Sequence, residues 1–140
     1  MSTKKILILC TGNSCRSQMA AAFLKSFNKN LDVHSAGTEP TVKVDPRAIK
    51  VMREIGIDIS NNTPTNVSEF LSQEFDWVIT VCDSAKETCP IFIGKVKNRL
   101  HTGFEDPANA AGTEGEILNV FREVRDQIME EFLKINENLL

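Results

Sequence analysis

At 140 residues, 41% apolar and 25% charged, the chain has the size and balance of a single soluble globular domain, 1–140, able to bury its own core. A net charge of −3, with no basic cluster interleaved with aromatics, argues against nucleic acid as a partner. The basic start Met1-Ser2-Thr3-Lys4-Lys5 precedes an apolar run too short for a signal-peptide core, and no stretch could span a membrane, so a cytoplasmic, monomeric protein is expected.

Ile6-Leu7-Ile8-Leu9 is a continuous apolar run, as expected of a parallel strand buried on both faces. Cys10-Thr11-Gly12-Asn13-Ser14-Cys15-Arg16-Ser17 follows, and Ser17 is expected to cap a helix whose apolar positions Ala20, Phe23, Leu24 and Phe27 recur at helical spacing. A loop between a strand end and a helix N-terminus gathers backbone N–H groups into one concavity, reinforced by the helix dipole. Gly12 is expected to supply the positive φ of such a tight turn, Asn13 being the next most tolerant type. Arg16 offers a planar fork that holds two oxygens of phosphate or arsenate together. The same field favours thiolate at Cys10, since comparable surroundings bring cysteine to a pKa of ~3.5–7.5. Cys10 is therefore the candidate nucleophile, with Thr11, Gly12, Asn13, Ser14, Cys15 and Arg16 as the oxyanion cradle; Cys15 itself reads as packing.

Further along, Leu31 to Ala36 alternates like a strand that ends at Gly37, with His34 a structural residue on it. Asp45-Pro46 reads as N-cap and first residue of a helix with Ile49, Met52 and Ile55 inward and Gly56 at its end. Ile57 to Ser60 is a short extended link, Asn61 to Asn66 a loop, and Ser68 to Leu71 a short helix. Asp76-Trp77-Val78-Ile79-Thr80-Val81-Cys82 is the clearest strand, and Val96 to His101 is expected to be the last one. His101 falls near the Cys10 loop without neighbours that would make it a base. Thr113-Glu114-Gly115-Glu116 is a capping box opening a long helix on Ile117, Phe121, Val124, Ile128, Phe132 and Ile135. The alternation predicts an α/β domain with a four-stranded parallel sheet flanked by helices on both faces. Ligands in such folds gather at strand carboxyl ends, where Cys10 and Cys82 are both expected.

Asp106-Pro107 follows the last strand, and proline holds the preceding residue extended, so Asp106 is either a turn initiator or a general acid on a loop. In a reducing cytosol the four cysteines, Cys10, Cys15, Cys82 and Cys89, point to catalysis, redox chemistry or metal binding before structural disulfides. A zinc site has the wrong spacing, lacking any C-x2-C knuckle, and no metal or bound cofactor is expected.

Cys10 to Ser17 resembles the phosphate-binding loop of the low-molecular-weight protein tyrosine phosphatases and of the arsenate reductases that share their fold. Over essentially its whole length the chain is similar to the thioredoxin-coupled members of the latter, whose three relay cysteines match Cys10, Cys82 and Cys89. The resemblance implies that Cys10 attacks arsenate held by Arg16, with Asp106 as general acid, Ser17 as a hydroxyl donor to the Cys10 thiolate, and Asn13 holding the loop in shape. It implies that Cys82 then forms a disulfide with Cys10, that Cys89 transfers it to Cys82–Cys89, and that reduced thioredoxin is the electron donor. Closing Cys82–Cys89 requires any short helix there to loosen into a loop, with Asp83, Ser84, Lys86, Glu87 and Thr88 exposed in either state. The alternative is a phosphatase working through a Cys10 phosphocysteine, with Cys82 and Cys89 merely structural. Two departures bear on the choice. Ala21 and Thr65 stand where some family members hold potassium with carboxylates, so that ion is not expected. Ala108-Asn109-Ala110 stands where phosphatases carry aromatic walls for a phosphotyrosine ring, which counts against that reading.

Overall fold

A computed structural model describes residues 3–83 and 85–140; Met1, Ser2 and Ser84, named above, lie outside the described residues. The chain runs β1 (Lys5–Cys10), α1 (Arg16–Phe27), β2 (Asp32–Gly37), α2 (Pro46–Arg53), β3 (Phe75–Thr80), β4 (Val96–His101) and α3 (Glu114–Leu139). Two short 3-10 turns, Val67–Phe70 and Pro107–Asn109, interrupt the connections.

The four strands form one parallel sheet in the order β2-β1-β3-β4. The apolar run of β1 is central, and Ile6, Leu7, Ile8 and Leu9 are all fully buried because both faces are covered. Ile6, Ile8 and Ile79 join the larger core with Met19, Phe23 and Leu24 of α1, Val51 and Met52 of α2, and Phe121, Val124, Ile128 and Phe132 of α3. Leu7, Leu9 and Val78 meet Phe75 and Phe92 on the other face, with Val67 and Phe70 of the 3-10 turn packed against them. Helical structure thus lies on both faces, unequally. β1 connects to β2 on one side while β3 lies on the other, so the sheet reverses direction at the end of β1. Such a reversal opens a crevice beyond the strand's carboxyl end, where Cys10 stands.

Local signals explain most element boundaries. Asp45 caps α2 by accepting from the Arg47 amide, and Pro46 supplies the first helical residue. Gly56, at φ +83, ends that helix in the left-handed region. The Thr113 hydroxyl accepts from the Glu116 amide while the Glu116 carboxylate accepts from the Thr113 amide, which completes the capping box of α3.

Three expectations are corrected. Ser17 does not cap α1: the helix begins at Arg16 after Cys15, with no side-chain cap, and the Ser17 hydroxyl is turned to Asn13. Ile55 falls beyond α2 and is 39% exposed, its place in the core being taken by Ala48, Val51 and Met52. β3 ends at Thr80, so Cys82 lies two residues past the strand.

Candidate active site

The carbonyls of Cys10, Thr11, Gly12 and Ser14 accept hydrogen bonds from the amides of Thr38, Glu39, Thr41 and Asp45, which turns them toward the segment after β2. Among the described residues, the amides of residues 12 to 16 donate to no backbone acceptor. Together with the uncapped first turn of α1, this leaves a set of N–H donors suited to an anion. Gly37 permits the close approach: a Cβ there would run into the Thr11 carbonyl.

The left-handed residue of the loop is Asn13, at φ +53, and not Gly12. Its side chain explains the choice. Asn13 Nδ2 donates to Ser17 Oγ at 2.7 Å, and its Oδ1 accepts from the Thr65 amide at 2.9 Å. Gln18 Nε2 donates to the Asn13 carbonyl at 3.1 Å, and Gln18 Oε1 in turn accepts from Asn62 Nδ2. A glycine would accept this backbone equally well but would leave the Ser17 hydroxyl and the Thr65 amide without that partner. Thr65, named above only for the carboxylate it lacks, therefore has a structural role through its amide. Ser17 is fully buried, and among the described hydrogen bonds its partner is Asn13, with none to Cys10.

Cys10, Thr11, Gly12, Asn13, Ser14, Cys15, Arg16 and Asp106 line one cavity of about 760 Å³, together with Thr38, Glu39 and Thr41 on one side and Asp83, Lys86, Glu87, Thr88 and Pro90 on the other. Ala108 and Asn109 line it as well, so no aromatic wall follows the Asp-Pro pair. Asp106 is extended, as Pro107 requires; its Oδ1 accepts from the Ala108 amide and its Oδ2 lies 3.6 Å from Arg16 Nη2. One carboxylate thus both initiates a turn and faces the cradle.

Cys82 and Cys89 form a disulfide, with Cα atoms 5.8 Å apart, while Cys10 and Cys15 are free and buried. The Val81 amide donates to the Leu9 carbonyl, so Cys82 sits one residue beyond a direct tie to β1, and Cys10 and Cys82 belong to the same core. Among the described residues between the paired cysteines, the Lys86 and Glu87 amides both donate to the Asp83 carbonyl. His101 does not line this cavity; its Nδ1 is 2.7 Å from Thr80 Oγ1 at the end of β4. His34 lies between Phe70 and Phe75 on β2. Among the described residues no group of three His, Cys, Asp or Glu is arranged to hold a metal ion, and no helix is long and apolar enough to cross a membrane.

The residue that sequence reasoning missed is Glu87. Expected to be exposed, its side chain is only 23% accessible and grips Arg16 with both oxygens: Nη1 donates to Oε2 at 2.6 Å and Nη2 to Oε1 at 3.0 Å. Arg16 also donates to the Phe104 carbonyl at 3.1 Å. The only advance signal was an acid inside the cysteine segment, which does not specify a partner 71 residues away.

Cys10 also departs from expectation. Burial pushes its thiol above the ordinary value; the Arg16 charge and the Thr11 amide pull it down, while Glu87 and Asp106 push it up again. With Arg16 shared by two carboxylates, burial prevails over the loop's field. Burial drives Cys15 up further still, in keeping with packing. Because only thiolate alkylates readily, iodoacetamide labelling of Cys10 in the disulfide form is expected to rise only above the pH at which a free cysteine reacts, ~8.5. Tandem mass spectrometry of the labelled peptide checks this; a half-rise near neutrality contradicts it.

A strand-loop-helix cradle with C-x5-R on a four-stranded parallel sheet defines a phosphatase-type fold, and residues 5–139 match the family described as low molecular weight phosphotyrosine protein phosphatase. The chain belongs to that family. Within it, the chain is 50% identical over 129 residues to an arsenate reductase of Oceanobacillus iheyensis, covering 91% of each chain. It is 46% identical over 129 residues to an arsenate reductase of Bacillus subtilis, again covering 91% of each. Among solved structures it resembles an arsenate reductase in the phosphate binding state, with TM-score 0.81 and 34% identity over 99% of this chain and 100% of that one.

Proposed function

We propose that this protein reduces arsenate to arsenite through a relay of Cys10, Cys82 and Cys89, with reduced cytoplasmic thioredoxin as the electron donor. The observation that carries the reading is the Cys82–Cys89 disulfide closing a segment that lines the same cavity as the Cys10 loop, in a chain whose relatives are arsenate reductases. A phosphatase needs one cysteine; a two-electron reduction needs partners for it.

In the proposed reaction, arsenate is held by Arg16 and the amides of the loop from Thr11 to Cys15. The Cys10 thiolate attacks arsenic and one oxygen leaves as water with the proton of Asp106, giving a thiol–arsenate ester. Cys82 attacks the Cys10 sulfur; the electron pair of the S–As bond stays with arsenic, arsenate becomes arsenite, and a Cys10–Cys82 disulfide remains. Cys89 attacks Cys82 and frees Cys10. The dithiol of thioredoxin then returns two electrons and two protons to Cys82–Cys89. Asn13 holds the loop, and Ser17 serves it through Asn13. No metal or bound cofactor takes part in the proposed steps, and the protein is proposed to act as a monomer.

The test is arsenate-dependent NADPH oxidation with thioredoxin and thioredoxin reductase, run beside p-nitrophenyl phosphate hydrolysis without them. Turnover that needs thioredoxin is the expected result, with at most weak hydrolysis, since the cradle does not distinguish phosphate from arsenate by shape. Strong hydrolysis without arsenate-dependent oxidation would instead favour the phosphocysteine alternative.

A further inference from the structure

The Cys82–Cys89 disulfide ties off a segment that turns back on itself at Asp83, and the acid near its end projects into the cavity of the Cys10 loop. Glu87 presents a planar carboxylate to both Nη atoms of Arg16, and its Oε2 also accepts from the Asp83 amide at 3.2 Å. Those two guanidinium nitrogens belong to the fork that the oxyanion reading assigns to the ligand, so Glu87 occupies donors a tetrahedral oxyanion would compete for. Asp106 Oδ2 lies 3.6 Å from Nη2 as well, so one cationic charge faces two carboxylates. A phosphate or arsenate dianion entering this arrangement meets a net negative wall at a distance where Coulomb terms are large.

We infer that Glu87 is a resident competitor for the oxyanion, held on Arg16 by the Cys82–Cys89 disulfide and released when that disulfide is reduced. The inference rests on the oxyanion reading of the loop, and not on the relay.

Its physical basis is the pinned segment. With the sulfurs joined, Cys89 is fixed against Cys82, and the Glu87 amide, tied to the Asp83 carbonyl, sets its side chain on Arg16. Reduction by a dithiol takes up two electrons and two protons, leaves two thiols and removes the only covalent tie at the Cys89 end. The segment then no longer has to hold its acid in the cavity. The Arg16 fork keeps the Glu87 carboxyl below the usual carboxylate range, so the competitor stays ionised at neutral pH. Docked Glu87 also adds to the influences that raise the Cys10 thiol. One side chain therefore acts on both the anion fork and the thiol of the site in the disulfide state.

Equilibrium dialysis with inorganic phosphate tests this. The disulfide form of the wild type is expected to bind phosphate about tenfold or more weakly than the reduced form, the weight of a charge-assisted bidentate pair. Glu87→Ala and the isosteric Glu87→Gln are each expected to bring the disulfide form close to the reduced one. In a Cys82→Ser/Cys89→Ser background, Glu87→Ala is expected to change nothing. By linkage, phosphate shifts the equilibrium of Cys82–Cys89 with dithiothreitol toward the dithiol by the same factor, and Glu87→Gln abolishes the shift. Equal phosphate affinity in the two wild-type states, or no gain in either Glu87 variant, overturns the latch alone. Failure of the reduced wild type to bind phosphate overturns the oxyanion reading and the latch with it.

Discussion

Cys10→Ser is expected to abolish arsenate turnover, leaving less than about a thousandth of the wild-type rate, because a hydroxyl in that position lacks the nucleophilicity of a thiolate. Cys10 ends β1 at the carboxyl edge of the sheet, buried and under the charge of Arg16, and the other cysteine of the loop is Cys15. Cys15 is not a substitute, since burial and the nearby Asp45 charge both hold it protonated. The variant keeps the loop amides and Arg16, so the reduced protein should still bind phosphate. Loss of turnover with binding intact, measured by arsenite release and dialysis, is the signature of a missing nucleophile. Comparable turnover in the variant would move the chemistry away from this loop.

Cys89→Ser is expected to separate the first cycle from all later ones. Attack of Cys82 on the Cys10 ester needs no Cys89, so rapid-quench analysis should find about one arsenite released per chain and then a halt. The halted enzyme should carry a Cys10–Cys82 disulfide, visible by peptide mapping under acid quench. The geometry behind this is local: Cys82 is fully buried, whereas Cys89 is only partly buried. Cys89 is thus the more accessible end of the pair, and without it an external dithiol has only the buried sulfurs of Cys10 and Cys82 to attack. Undiminished steady turnover would rule out the relay while leaving the oxyanion cradle untouched.

How much of this was legible in the sequence divides by the range of the interactions. Signals that act within a few residues, such as Asp45-Pro46, Gly56, the Thr113 to Glu116 box and the extended residue before Pro107, were readable because their physics is local. The β1 run and the C-x5-R spacing gave the sheet and the cradle for the same reason. The errors came where tertiary partners decide. Gly12 is the obvious choice for the left-handed position, yet Asn13 takes it because Ser17, Thr65 and, through Oδ1, Gln18 converge on its side chain. Ser17 looked like a cap until that same network claimed its hydroxyl, and Ile55 looked like a core position until α2 ended before it. Glu87 and the raised Cys10 thiol depend on how the cysteine segment closes over Arg16, which no local pattern encodes.

The ties that shape the cradle span most of the chain: Asn13 to Thr65 is 52 residues, Arg16 to Glu87 is 71 and Arg16 to Phe104 is 88. A sheet of parallel strands has no hairpin to form early, so each of these contacts waits on a long crossover, and such topologies fold slowly. While the chain is still folding, Cys10 lacks both its burial and its arginine and behaves as an ordinary thiol. Oxyanion affinity therefore arrives with the last long-range contacts, so phosphate should bind the finished protein and no partly folded form. An excess of phosphate would then raise the unfolding temperature of the reduced protein without accelerating its folding.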